Sequence, residues 1–274
     1  MSSESRVAGI DAVAEPISLP WILRVGVAGC FIGHGAFGII TKAGWVPYFA
    51  VGGVSEPLAW KLMPWVGSMD IIMGLLALAW PCRALLIWAA LWATWTALLR
   101  PLSGEPVWEF VERAGNFGVP FSWLAVVGTD GSLFSRLPFS WPPLEPAKRK
   151  LLIWILRITT TLLLAGHGAL GLLSHKAGLA KHYAALGVSN PAALVPAVGA
   201  FEFFLAALVL LRPRPGLFVG ICVWKFSTEC LFLVAGSPIW EVIERFGSYA
   251  APLALMLLYS RRQPVHHLAP SLAT

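Results

Sequence analysis

Two histidines sit in the same short setting, Gly33-His34-Gly35-Ala36 and Gly166-His167-Gly168-Ala169, and each is followed in the next apolar run by one acid, Asp70 or Glu202. An imidazole beside a carboxylate can take up and release protons near neutral pH, with the carboxylate setting the affinity. A longer pair of strings carries more charge. GEPVWEFVERAG, from Gly104 to Gly115, returns as GSPIWEVIERFG, from Gly236 to Gly247, with seven of twelve positions the same. Within each, Glu109 and Arg113, or Glu241 and Arg245, are four apart with Glu first, the favourable order for an ion pair on a helix. That pairing leaves Glu112 and Glu244 free to accept a proton or hold a donor.

The catalytic candidates are therefore His34, Asp70 and Glu112, matched by His167, Glu202 and Glu244. Trp92 and Thr96, matched by Trp224 and Thr228, are candidates for cofactor contact. Glu109, Arg113, Glu241 and Arg245 read as structural ion pairs. Lys225 stands where the first half has Ala93, four residues before Glu229, so a buried Lys225/Glu229 pair makes the halves unequal. The plainer reading of the same residues is a set of salt bridges and core histidines that lock a bundle. No HExxH or paired ExxH spacing is present, so no metal site is expected. Cys30, Cys82, Cys222 and Cys230 form no CxxC pair.

The elements that must hold these groups are membrane helices. The chain is 57% hydrophobic and 12% charged, with a mean hydropathy of +0.73, against roughly 25% charged residues in ordinary soluble domains. The formal charge of +6 suits anionic headgroups more simply than nucleic acid, for which no aromatic-basic motif is present. Residues 1–20 carry Arg6 among three acids and do not resemble a cleaved signal, so the first apolar run is expected to be retained.

The matched strings lie 132 to 134 residues apart, which makes the chain a tandem duplication. The expected fold is all-α, with eight transmembrane helices as two parallel four-helix repeats, 21–128 and 151–260. A Pro-rich linker, 129–150, joins them, and a polar tail, 261–274, follows. The fourth helix of each repeat is expected to run through the WExxER string, whose charged first half suits an interfacial or partly re-entrant segment and which Asn116 and Pro120 can bend in the first repeat, with Trp108 and Trp240 as interfacial anchors. Arg24 and Arg157 are read as snorkelling to lipid phosphates. Ten Lys and Arg outside the helices fall on one side, among them Arg6, Arg83, Lys148, Arg261 and Arg262, and five on the other. Both termini are accordingly expected in the cytoplasm.

The Arg-led first helix with its GHG segment, Arg24 to Gly35 and Arg157 to Gly168, and the central acid of the second helix, Asp70 or Glu202, resemble the DoxX/DoxD-like family of small bacterial membrane proteins. The resemblance implies an inner-membrane location, two fused four-helix units and, from some relatives, a quinone as cofactor, with a redox partner subunit or a small-molecule donor. The leading expectation is thus a quinone-linked membrane oxidoreductase or redox-complex subunit. A proton-coupled small-molecule transporter and a structural or assembly subunit are the alternatives.

Overall fold

A computed structural model describes residues 18–260. Arg6, Arg261 and Arg262, used above for orientation, and the 261–274 tail lie outside the described residues. The described chain is helical. The first half comprises α1 (Ser18–Ile39), α2 (Val46–Val51), α3 (Glu56–Ala79), α4 (Arg83–Leu102), α5 (Trp108–Val111) and α6 (Ala114–Val127). The second comprises α7 (Pro146–Leu172), α8 (Ala177–Ala185), α9 (Pro191–Leu211), α10 (Pro215–Val234), α11 (Trp240–Ile243) and α12 (Phe246–Ser260).

Six of these, α1, α3, α4, α7, α9 and α10, are long and apolar enough to cross a membrane. Their outward faces carry large apolar side chains, including Trp65, Ile72, Leu91, Phe204 and Val223, which water would penalise and lipid accepts. Over the described residues the chain is an all-helical membrane protein. α6 and α12 are apolar but have 14 and 15 residues, so each rises only about 21–23 Å.

The fourth helix of each repeat is broken near its start. In each half a four-residue helix, α5 or α11, carries the first glutamate, and a new helix begins just past the arginine. The turn before it needs a glycine: Gly104 has φ +98° and Gly236 φ +84°, values that only glycine adopts at little cost.

The core is assembled from both halves at once. Leu19, Leu23 and Phe31 of α1, Trp123 of α6, Leu156 and Leu163 of α7, and Ala251 and Leu255 of α12 form one buried cluster. Around this centre α3 packs on α1, α4 on α6, α9 on α7 and α10 on α12. The first helix of each half also lies against the last helices of the other: α1 meets α11 and α12, while α7 meets α5 and α6. Glycine permits that crossing. A Cβ on Gly33 would collide with the Glu244 backbone, and one on Gly166 with that of Glu112. Where the repeated strings end they touch, since a Cβ on Gly115 would sit 2.8 Å from the carbonyl carbon of Gly247.

Two local expectations are corrected, one for the buried arginines and one for the linker. Arg24 is fully buried and donates to the carbonyls of Ala77 and Leu78, the latter at 2.8 Å, while Arg157 donates to those of Val209 and Leu210. Each guanidinium thus satisfies carbonyls that end α3 or α9 and so have no partner within their helix, rather than reaching phosphates. Trp108 and Trp240 are half-buried, Trp108 beside the cluster that contains Leu170 and Tyr183 and Trp240 beside the one that contains Phe37 and Met63. The linker also contributes to the core, burying Leu137, Trp141 and Leu144, and its last residues, 146–150, already belong to α7.

Candidate functional site

α1 and α3 bring His34 against Asp70, with Nδ1 2.8 Å from Oδ2. Asp70 is fully buried, and its other oxygen accepts from Trp92 Nε1 at 2.9 Å across to α4. Two partners make this buried carboxylate tolerable in an apolar bundle. They also fix the imidazole: with Nδ1 committed to Asp70, Nε2 has no protein partner among the described residues. Trp45 lies over the ring, centroid to centroid 4.4 Å.

His34 opens onto a cavity of about 210 Å³. Its walls are largely aromatic, from Trp45, Tyr48, Phe49, Trp92 and Trp95, with Ala93, Thr96 and Ala97 along the α4 side. Arg100, Arg113, Asn116 and Glu244 supply the polar edge. Thr96 turns its hydroxyl to the Ala93 carbonyl at 3.3 Å. The cavity is cross-assembled: its glutamate is Glu244, from the second half, not Glu112.

The second half repeats the frame and fills the space. His167 Nδ1 lies 2.5 Å from Glu202 Oε2, and Trp224 Nε1 donates to Oε1 at 3.0 Å. Here Lys225 reaches Glu229 at 3.0 Å and Glu202 at 3.8 Å, and Glu229 accepts from Arg245 Nε at 2.8 Å. What remains is a gap of about 20 Å³ lined by His167, Glu112, Lys225, Glu229, Glu244 and their neighbours, room for about one water. Thr228 bonds its own helix at Lys225 and makes no contact with the gap.

The WExxER strings lie between the two frames. Arg113 Nη1 bonds Glu109 Oε2 at 2.9 Å and Glu112 Oε1 at 2.7 Å, and Arg245 Nη1 bonds Glu241 Oε2 at 2.7 Å and Glu244 Oε1 at 2.9 Å. Each arginine therefore holds both of its glutamates. This corrects the expectation that Glu112 and Glu244 are free: the helix break after α5 and α11 swings the second carboxylate back to the arginine beside it.

Lysines cross between halves to complete the charge. Lys42 bonds Glu241 at 2.9 Å, and Lys176 bonds Glu109. Burial alone would raise the Glu241 carboxyl, but Arg245 and Lys42 override it and hold it down at about 2. Glu112, buried yet beside Arg113 and Lys176, is likewise held below the usual carboxylate range.

No family profile, curated protein or solved structure matches this chain. Its chemistry is therefore read from these residues alone. Among the described residues no three His, Cys, Asp or Glu side chains converge to hold a metal ion. The cavity offers aromatic walls for stacking, one oriented ring nitrogen at His34 and the guanidinium groups of Arg100 and Arg113 at its edge.

Several groups around the cavity escaped the sequence reading. Tyr48 donates to Glu105 and accepts from Arg100 Nη1 at 2.8 Å, and burial pushes its phenol well above its ordinary range. The signal was a third repeated string: Lys42-Ala43-Gly44 recurs as Lys176-Ala177-Gly178, and Val54-Ser55 as Val188-Ser189. In that register Tyr48 aligns with His182, and both crossing lysines are matched.

Proposed function

We propose that the protein is a quinone-linked membrane oxidoreductase or redox-complex subunit of the DoxX-like kind, working through the His34 cavity. The observation that carries the reading is the imidazole fixed by Asp70 at Nδ1, with Nε2 unpartnered in an aromatic chamber. A quinone ring would stack between the tryptophans, and His34 Nε2 would meet one carbonyl oxygen. The quinone supplies a two-electron, two-proton acceptor; its electrons come from a partner subunit or small-molecule donor. His34 Nε2 would donate one of the two protons to the oxygen, the second coming from water, Asp70 would stabilise the imidazolium, and Trp92 would keep Asp70 in place.

In this reading the chain lies in the inner membrane as two parallel four-helix repeats with both termini cytoplasmic. α6 and α12 complete eight crossings, with α5 and α11 at the outer face of the membrane. The supports are the matched strings, the apolar length of the six long helices and the bias of Lys and Arg. The test is quinone binding by the purified chain. Wild type should co-purify with or take up quinone, and His34→Ala should lose donor-driven reduction while the fold survives; a folded wild type that binds none overturns the reading.

One observation favours a second reading, a proton-coupled carrier: ionisable groups run without a break from Glu202 through Lys225, Glu229 and Arg245 to Glu244. Uptake into proteoliposomes driven by a pH gradient, and lost in Glu202→Gln, would decide for it.

A further inference from the structure

Arg113 and Arg245 occupy matched places and make matched bonds through Nη1, yet they differ at Nε. Arg245 Nε donates to the Glu229 carboxylate at 2.8 Å. Arg113 lines the cavity, and neither its Nε nor its Nη2 has a protein partner among the described residues. The reason is in the sequence register: the positions that carry Lys225 and Glu229 in α10 carry Ala93 and Ala97 in α4, and both alanines line the same cavity.

We propose that Arg113 is the second anchor of the cavity's ligand, its Nε taking an acceptor oxygen where the second half places the Glu229 carboxylate. The second half is then a self-liganded copy of the first, with Lys225 and Glu229 standing in the volume that a bound molecule fills beside His34. This rests on the cavity being a ring-binding site and specifies the molecule further. It needs two acceptor oxygens on opposite sides of a flat body, one for His34 Nε2 and one for Arg113 Nε. A neutral quinone carries both as carbonyls, and an aromatic carboxylate could supply the Arg113 end alone. It follows that each chain binds a single molecule, in the first half.

The test compares two exchanges in the purified full-length chain. Binding is measured by equilibrium dialysis with a short-chain benzoquinone and, separately, with benzoate. Wild type should bind a single benzoquinone. The Ala93→Lys/Ala97→Glu double variant rebuilds the second half's pair in the first and should weaken that binding at least about tenfold, as expected for losing a charge-assisted hydrogen bond together with the space. Lys225→Ala/Glu229→Ala should admit a second molecule, a gain that misfolding cannot imitate. The proposal is overturned if wild type already binds two, if the first exchange leaves affinity unchanged, or if the second adds no site. Benzoate binding without benzoquinone binding overturns the quinone reading and leaves the Arg113 anchor standing; binding of neither overturns both.

Discussion

The two halves hold the same frame, a histidine, an acid and an indole on three helices, and put it to opposite use. Around His34 the frame encloses about 210 Å³; around His167 the gap is about 20 Å³. Two positions on one helix distinguish them, Ala93 and Ala97 in the first half and Lys225 with Glu229 in the second. The lesson is that the frame is not itself the site. A buried acid with a histidine and an indole is a stable way to join three helices, and it becomes a chamber for chemistry only where the neighbouring turn of helix is small.

The comparison breaks hardest at Lys225. Lys225→Ala leaves Glu229 with Arg245 Nε alone and Glu202 with His167 and Trp224 alone, and should destabilise the chain by about 1.5–3 kcal/mol, the range for losing hydrogen bonds to a charged group. Adding Glu229→Ala should restore much of that loss, because Arg245 keeps Glu241 and Glu244, and Glu202 keeps His167 and Trp224. Thermal unfolding in detergent of the single and double variants measures both; a double variant as damaged as the single would show that the pair is more than a plug.

The indoles sharpen the contrast at smaller scale. Trp92→Phe removes one of the two groups that bond Asp70 and should cost about 1–3 kcal/mol. Trp224→Phe should cost less, since Glu202 still has His167 and the Lys225 ammonium. Equal losses would mean that Lys225 does not compensate.

The smallest expected effect is with pH. Glu241 is held at about 2, below its unfolded value near 4.5, so its ion pairs add stability that is complete above pH 4.5 and is lost as pH falls from there towards 2. Lys42→Ala removes one of the cations responsible and should flatten the fall in melting temperature between pH 5 and pH 3, by an amount near the exposed-pair range of about 0–1 kcal/mol because Lys42 is partly in solvent.

Much of this could be read from the sequence because it depends on short spacing. The i to i+4 order of Glu109 and Arg113 predicts their bond, and the Lys225 to Glu229 spacing predicts theirs. His34 and Asp70, placed midway along consecutive helices, have to meet if those helices are antiparallel neighbours. What periodicity does not report is which half a helix packs on. The sequence order therefore pairs each glutamate with the histidine of its own half, whereas Gly33 and Gly166 admit the Glu244 and Glu112 backbones from the opposite half. Nor does an unbroken apolar run show that Arg24 and Arg157 prefer bare helix-end carbonyls, or that the fourth helices break at the glutamate-arginine pair.

That exchange between halves has a consequence for how the inequality could arise. If two identical separate chains assembled in this way, every substitution would appear in both sites, so a lysine and glutamate that filled one chamber would fill the other. Covalent joining removes the constraint. Within one polypeptide each half still lends its WExxER string to its neighbour, but α4 and α10 can be altered independently. One chamber can then be sealed for rigidity while the other stays open, an asymmetry that no symmetric pair of chains could inherit.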